Sequence, residues 1–191
     1  MRALPLLFLA LPALAQSGDA VLAQVDRLRH PWPAFTVVLE VRDERTTQRW
    51  KVSARENGDA RLDGLSEKER GRAVLALGAD MWLLLPGTKR PLKVTPQQRL
   101  LGPAAGGDVA RTRFRQDYVA RACAEDRLDG RPCWRLDLEA RSAALSARTI
   151  QLWVERDTTA PLRAEFFMAS GKRARVATFG PPTTAHGQPV L

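Results

Sequence analysis

Residues 71–86, GRAVLALGADMWLLLP, contain the pattern that decides the fold. Leu75 and Leu77 lie two positions apart in an apolar run that ends at Gly78, and the following run repeats the same interval. Successive side chains of a β-strand point to opposite faces, so the second run presents one face that contains Met81, Leu83 and Leu85. Two such runs separated by a short turn predict a pair of antiparallel strands.

The same alternation of apolar and polar residues continues on both sides of this pair. It is visible in residues 35–42, 49–55, 134–139, 150–155, 162–168 and 173–179. Strands this regular, joined by turn residues and with one polar face, predict an antiparallel meander. A sheet of about eight twisted strands tends to curl, and its apolar face has to be covered. The sequence therefore predicts a mainly β (α+β) protein with a single curled antiparallel sheet.

Two segments are candidates to cover the apolar face. Residues 19–29 form a predicted helix, ended by His30-Pro31, whose apolar side is made of Val21, Leu22, Val25 and Leu28. Residues 86–115 are rich in proline and glycine and are long for a simple connection, which indicates a functional loop or lid. A curled sheet under this lid encloses an apolar interior, which is either a ligand cavity or an ordinary core.

The first fifteen residues are predicted to be a cleaved signal peptide. Met1-Arg2 is a short positive start, residues 4–14 are apolar, and residues 13–15 supply the small-x-small pattern of a cleavage site before Gln16. The apolar run is too short to span a membrane. No cysteine lies at the cleavage site, so we expect a soluble periplasmic protein without a lipid anchor.

The chain is basic, and its charge is dominated by arginine. Its 191 residues include 30 Lys and Arg against 21 Asp and Glu, a formal net charge of +9, and 25 of the cations are arginine. These cations are scattered rather than gathered into the runs that nucleic-acid-binding proteins use, and an exported protein does not meet nucleic acid. We therefore exclude DNA and RNA as partners and expect a preference for acidic surfaces such as lipid headgroups.

The two cysteines, Cys123 and Cys133, flank a hairpin-turn signal at Asp129-Gly130. In an oxidising compartment a bridge across this hairpin would stabilise the fold, and we predict a disulfide. A two-residue turn would instead place Cys123 opposite Leu136, so the bridge requires a longer loop or a bulge. The alternative interpretation is a pair of small buried thiols. With two distant histidines, His30 and His186, the chain lacks the ligands for a metal site.

The stretch that decides the fold also carries a family resemblance. Residues 71–86 and a series of later blocks resemble the LolA-like outer-membrane lipoprotein-sorting proteins. The later blocks are residues 89–102 (KRPLKVTPQQRLLG), 107–110 (GDVA), 117–118 (DY), 129–133 (DGRPC), 150–154 (IQLWV), 161–165 (PLRAE) and 170–172 (SGK). The resemblance implies an unclosed half-barrel of the LolA/LolB type, with helices over a hydrophobic cavity that carries acylated cargo across the periplasm.

Partners and domain limits follow from the same resemblance. The implied partners are the acyl chains of a lipoprotein or other lipid, an inner-membrane lipid exporter of the resistance-nodulation-division type, and an outer-membrane acceptor. We expect a signal peptide over residues 1–15, a half-barrel domain over residues 16–180 and a short C-terminal tail over residues 181–191. The chain departs from the family pattern at Leu84, where relatives carry an aromatic residue, and relatives continue for several strands beyond the position of residues 186–189.

The candidate ligand-binding residues are the apolar members of the predicted strands. The predicted cavity wall consists of Phe35, Val37, Leu39, Trp50, Val52, Leu75, Leu77, Met81, Leu83, Trp134, Leu136, Leu152 and Phe166. The alternative is that about half of these side chains form ordinary packed core, as strand-alternating apolar residues usually do. Two sets of cations are candidates for contact with a headgroup or a partner: Lys89, Arg90 and Lys93, and the alternating set Arg111, Arg113 and Arg115. For both sets the alternative is a solvated polar face.

No arrangement of residues typical of catalysis is apparent in the sequence. There is no Gly-x-Ser-x-Gly motif, the histidines have no evident Ser or Cys partner, and the carboxylates are scattered. We predict a non-enzymatic protein without a cofactor: a periplasmic carrier that shuttles lipid or lipoprotein toward the outer membrane. The alternative is a lipid-sensing regulatory module that contacts an inner-membrane partner, because similar barrels serve in that role.

Overall fold

The computed structural model of the protein describes residues 17–42, 47–78, 80–101 and 111–191. The strands of these residues form two antiparallel sheets and a small hairpin. The first sheet contains, in order, β1 (Ala34–Arg42), β2 (Thr47–Arg55), β3 (Ala60–Gly64), β4 (Ala73–Leu77), β5 (Asp80–Leu84) and β6 (Leu92–Lys93). The second sheet contains β7 (Tyr118–Leu128), β8 (Arg131–Ala140), β9 (Thr149–Glu155), β10 (Pro161–Phe167) and β11 (Arg173–Thr178).

The predicted antiparallel, mainly β architecture is confirmed, but the predicted single sheet is wrong. Within each of these two sheets every strand pairs with its neighbours in the chain, as expected for a meander, but β6 does not pair with β7. The chain between them contains the larger part of the predicted lid, residues 94–115, and its described residues form two short helices, α2 (Pro96–Leu101) and α3 (Phe114–Asp117). The meander is therefore interrupted, and within the described residues neither sheet closes into a barrel. Residues 102–110 of the predicted lid lie outside the described residues.

The predicted N-terminal helix is confirmed and covers the second sheet. Helix α1 spans Gly18–Arg29, and the side chain of Ser17 caps it by accepting a hydrogen bond from the Ala20 amide at 3.2 Å. At the other end, the His30 amide donates to the Asp26 carbonyl at 2.8 Å. The apolar side of α1 packs into one buried cluster with the face of the second sheet through Val21, Leu22 and Val25. The first sheet has a separate cluster of its own.

The ends of the chain contain two further predicted segments. Residues 1–15, the predicted signal peptide, lie outside the described residues. The predicted tail over residues 181–191 forms a hairpin of β12 (Thr183–Ala185) and β13 (Gln188–Val190), and the Leu191 amide donates to the Leu28 carbonyl at 3.1 Å. Among the helices of the described residues, none has the length and apolar character needed to cross a membrane.

The hairpin of β7 and β8 keeps the two cysteines apart, so the predicted disulfide is wrong. Asp129 and Gly130 both have positive φ, 50° and 80°, and form a two-residue turn between the paired ends of the strands. This register places Cys123 opposite Leu136 and Cys133 opposite Asp126. Cross-strand partners share a face and successive residues alternate, so the two thiols point to opposite faces of the sheet. Both cysteines are free, and burial raises the pKa of each thiol.

Candidate lipid-binding face and arginine-lined clefts

One face of the first sheet carries a continuous row of branched apolar side chains. The strand registers place these side chains opposite one another across all six strands, in the order Val37, Val52, Leu62, Val74, Leu83 and Leu92. Val52, Leu62 and Val74 are buried and Leu83 is half-buried, whereas the two end members, Val37 and Leu92, are exposed. This row therefore remains apolar where it reaches solvent.

A neighbouring row on the same face is built from small side chains. Ala54, Ala60 and Ala76 are direct cross-strand partners, with Phe35 at one end and Met81 at the other. The alanines and Met81 are buried, and Phe35 is half-buried. Because alanine side chains are short, this row is lower than the adjacent row of valines and leucines. The two rows together make one contiguous apolar face, most of which is buried.

The corresponding face of the second sheet is filled by α1. Leu136, Leu152 and Phe166 are buried in one cluster with Val21, Leu22 and other side chains of the helix and sheet. The space in front of these residues is therefore occupied by the protein itself. For these three members of the predicted wall, the structure shows packed core, the alternative that the sequence left open.

The predicted wall residues consequently fall into three groups. Seven share the apolar face of the first sheet: Phe35, Val37, Leu39, Trp50, Val52, Met81 and Leu83. Four belong to the second sheet, where Trp134 is half-buried at the margin of the cluster that holds Leu136, Leu152 and Phe166. Leu75 and Leu77 lie on the opposite face of the first sheet, because Leu75 pairs with Trp82 and Leu77 with Asp80. The prediction that these two leucines share a wall with Met81 is wrong.

The predicted basic patch at Lys89, Arg90 and Lys93 lies at the far edge of the first sheet. All three residues are exposed, and Lys89 and Arg90 are in the turn that connects β5 to β6. The Lys93 ammonium lies 2.9 Å from the Asp80 carboxylate and 5.9 Å from the centre of the Trp82 ring. Lys93 is thus paired within the sheet, while Lys89 and Arg90 extend from a turn toward solvent.

A polar cluster joins the end of α1 to the segment that leads into α3. Arg29 is buried and donates a 2.6 Å hydrogen bond to the Thr112 carbonyl, and its guanidinium lies 4.9 Å from the Phe114 ring centre. Burial lowers the pKa of Arg29 to about 10, so this group stays protonated at neutral pH. The Asp26 carboxylate accepts the backbone amides of Phe114 and Arg115, each at 2.8 Å. Burial raises the pKa of the Asp26 carboxyl above its ordinary value.

His30 is held neutral in the same cluster. Burial, and then the charges of Arg29 and Arg113, lower the pKa of His30 to about 3. Its Nε2 atom lies 3.3 Å from the Thr112 carbonyl, which can only accept, so Nε2 carries the proton. The other ring nitrogen, Nδ1, is buried and has no hydrogen-bond partner among the described residues.

Two clefts flank this cluster and share three lining residues, Arg113, Gln116 and Arg141. The larger has a volume of about 650 Å³ and contains His30 and Glu56 in its lining. The smaller, of about 280 Å³, lies between the loops of the two sheets. Its lining is Asn57, Gly58, Gly78, Arg111, Arg113, Gln116, Asp117, Arg141, Ser142, Ala144 and Leu145.

The three alternating arginines, Arg111, Arg113 and Arg115, are thus distributed around both clefts. Arg111 and Arg113 line the smaller cleft, and Arg113 and Arg115 line the larger. Sequence reasoning missed Arg141, which lies in the loop after β8, far along the chain from Arg113. It also missed the buried role of Arg29, although an arginine in the last turn of an amphipathic helix is a recognisable signal.

Comparison with solved structures defines the class of protein. The chain is similar to a LolA superfamily protein from Nitrosomonas europaea, with 25% identity, a TM-score of 0.74, and coverage of 90% of this chain and 81% of the other. A domain of an outer membrane lipoprotein-sorting protein from Vibrio parahaemolyticus has 18% identity, a TM-score of 0.63 and coverage of 86% and 78%. A DUF1329 family protein from Desulfovibrio piger has 16% identity, a TM-score of 0.65 and coverage of 91% and 81%. The fold is therefore LolA-like, as the sequence resemblance implied.

The family follows from the sequence match. Residues 65–190 match a family model described as "-like: Uncharacterized protein", and the chain belongs to this family. No curated protein sequence matches the chain.

Proposed function

We propose that the protein is a periplasmic carrier that binds the acyl chains of a lipoprotein or other lipid on the apolar face of the first sheet. The observation that supports this proposal is the apolar row that ends in exposed Val37 and Leu92, found within a LolA-like fold. A row that is apolar up to its exposed ends can extend its contact to an acyl chain without desolvating polar groups.

The binding has to be strong enough to hold a lipid and weak enough to release it. Burial of an acyl chain contributes about 0.8 kcal/mol per methylene, so a fully buried chain of about sixteen carbons contributes roughly 12 kcal/mol. That value already corresponds to an affinity near the nanomolar range, and two or three such chains would not dissociate on a useful timescale. The half-buried and exposed members of this face meet the requirement, because a ligand that contacts them has only part of each chain covered.

The first sheet is the better candidate for the lipid-binding surface because α1 covers the apolar face of the second sheet. The face of the second sheet is sealed by α1, whose Val21 and Val25 are fully buried against it. Binding there would require α1 to leave its site and expose the whole cluster. On the first sheet, Phe35, Leu39 and Leu83 are only half-buried, so a ligand gains contact without displacing the helix.

The proposed route of the cargo is from the inner to the outer membrane. The predicted signal peptide and the resemblance to lipoprotein-sorting proteins support a periplasmic location. We extend the proposal to loading from an inner-membrane exporter of the resistance-nodulation-division type and delivery to an outer-membrane acceptor, the partners expected from the sequence resemblance. In this role the protein acts as a carrier and performs no chemical step.

Recovery of lipid from the protein tests the proposal. Protein purified from periplasm should yield acylated material on organic extraction and mass spectrometry. The lipid-free protein should bind a fluorescent fatty acid, and unlabelled acyl chains should compete with it. If no acylated molecule is recovered and the fluorescent fatty acid does not bind, the protein is not a lipid carrier.

A further inference from the structure

The smaller cleft places three arginine side chains around one polar hollow between the loops of the two sheets. Arg111 and Arg113 come from the segment before α3, and Arg141 comes from the loop after β8. The opposite wall is formed by the turns that follow β2 and β4, at Gly58 and Gly78. Four separate parts of the chain, two that carry arginines and two turns, therefore meet at this cleft.

Two of these guanidinium groups use only some of their N–H donors in contacts within the protein. Arg113 contacts the Arg55 carbonyl at 3.5 Å, and Arg141 contacts the Arg115 carbonyl at 3.5 Å. Among the described residues, neither guanidinium forms an ion pair with a carboxylate, and the buried Nε of Arg113 has no hydrogen-bond partner. A guanidinium carries five N–H donors, so these contacts leave most of each group free to bind an anion.

The carboxylates nearest to these arginines are already engaged. Asp117, in the lining of the smaller cleft, accepts the backbone amide of Arg113 at 3.0 Å. Asp19, across the larger cleft, forms a 3.0 Å ion pair with Arg115. Asp26 accepts two backbone amides, as described above. These three carboxylates keep their negative charge, and the charge of Arg113 acts to lower the pKa of Asp26, but among the described residues none of them forms an ion pair with Arg113 or Arg141.

We propose that Arg113 and Arg141, with Arg111 beside them, bind a phosphate-type anion in the smaller cleft, and that this anion is the headgroup phosphate of the carried lipid. The inference rests on the proposed function and extends it from the acyl chain to the polar end of the ligand. Planar guanidinium groups bind phosphate oxygens through paired N–H donors. Gln116 and the Ser142 hydroxyl are the neutral donors in the same lining.

Matched short-chain lipids test the proposal in solution. Binding of dihexanoyl phosphatidate, dihexanoylglycerol and inorganic phosphate is measured by titration calorimetry with the full protein. The two lipids share their acyl chains and differ in the phosphate group. We expect the phosphatidate to bind about tenfold more tightly than the neutral lipid, and this preference to weaken as ionic strength rises.

Variants of the two arginines test whether Arg113 and Arg141 cause the preference for phosphatidate. Arg113→Gln and Arg141→Gln, singly and together, should remove the preference for phosphatidate while leaving the affinity for dihexanoylglycerol unchanged. Arg127→Gln is the matched control, since Arg127 is exposed and also donates to a carbonyl, that of Gly130 at 3.2 Å. The control should keep the full preference. Arg141 is exposed, so Arg141→Gln alone keeps the test valid if the double variant does not fold.

The outcomes separate this inference from the proposed function. Unchanged preference in the Arg113 and Arg141 variants would overturn the anion site, and so would an absence of preference in the unmodified protein; in both cases dihexanoylglycerol binding would still support a carrier. Binding of inorganic phosphate that these variants abolish, without binding of either lipid, would support the anion site with free phosphate as its ligand and would count against the carrier.

Discussion

Val37 lies directly opposite Val52 in the pair β1–β2, yet Val52 is 2% exposed and Val37 is 40% exposed. The difference arises because β1 is the edge strand of the first sheet, so Val37 has a neighbouring strand on one side only. An edge position ordinarily favours polar or charged side chains. An apolar residue there is consistent with an edge over which a ligand enters the apolar face.

The neighbouring residue Val38 provides a control for this role of Val37. Val38 is 54% exposed and follows Val37 in β1, so it points to the opposite face. We expect Val37→Asp to weaken binding of a fluorescent fatty acid by about tenfold, because a charge would be desolvated beside the acyl chain. Val38→Asp should leave the affinity within about twofold, because a charge on the solvent-facing side of the strand is not desolvated. Equal losses in the two variants would contradict binding on this face.

Leu152 should behave as a core residue rather than as part of a binding surface. It is fully buried in the cluster that α1 forms with the second sheet. We expect Leu152→Ala to lower the free energy of unfolding by about 2–5 kcal/mol, because it leaves a cavity in packed surroundings. Urea denaturation measures this loss, and Val37→Ala, at an exposed site, should cost less than about 1 kcal/mol. A Leu152→Ala protein of normal stability with impaired fatty-acid binding would show that α1 does not seal this face.

The cysteines should remain unpaired even under oxidising conditions. Cys123 and Cys133 point to opposite faces of the β7–β8 hairpin. Alkylation of the unfolded, unreduced protein should therefore modify both thiols, and addition of a reductant should leave the melting temperature unchanged. Mass spectrometry distinguishes this result from a bridged protein, in which neither thiol would be alkylated before reduction.

His30 should make the stability of the protein depend on pH. Its pKa is lowered to about 3 in the folded state from an ordinary value of 6.5, so between these values the unfolded chain binds the extra proton. Stability contributed by neutral His30 is complete above pH 6.5 and is lost as the pH falls toward 3. We expect the urea midpoint to fall between pH 7 and pH 4, and to fall less in His30→Asn.

The second histidine supplies the control for this measurement. His186 is exposed in the turn between β12 and β13 and has a positive φ of 48°, which asparagine tolerates well. His186→Asn should retain the pH dependence of the unmodified protein. Parallel curves for the His30 variant and the unmodified protein would mean that other groups dominate the titration.

The local elements of the fold were predictable because they depend on residues close together in the sequence. The helical spacing over residues 19–29 corresponds to α1, Gly18–Arg29. The turn signal at Asp129-Gly130 implied that Cys123 would lie opposite Leu136, and the structure has this register. The preference for a disulfide was wrong because it gave the expected compartment more weight than the turn geometry.

The faces of the strands were less predictable where both faces are apolar. In β4, Val74, Leu75, Ala76 and Leu77 are all apolar, so an interval of two residues does not show which pair is buried. The structure buries Val74 and Ala76 and leaves Leu77 exposed on the opposite face. The pairing with β3 and β5 decides this arrangement, and such pairing is a property of the assembled sheet.

The arginine-lined cleft and the division into two sheets depend on contacts between distant segments. Arg113 and Arg141 lie on either side of the β7–β8 hairpin and meet only when that hairpin folds back. Sequence spacing indicated Arg113 through its alternation with Arg111 and Arg115. No comparable signal marks Arg141, which occurs alone in a loop.

The buried clusters of the two sheets have no side chain in common. Regions of a protein that bury separate sets of side chains can open independently of one another. The two sheets can then open separately, and under the proposed function the first sheet would adjust to lipids of different size while the helix-covered sheet stays closed. In a hydrogen-exchange measurement we expect the backbone amides of β1 to β6 to be less protected than those of β7 to β11.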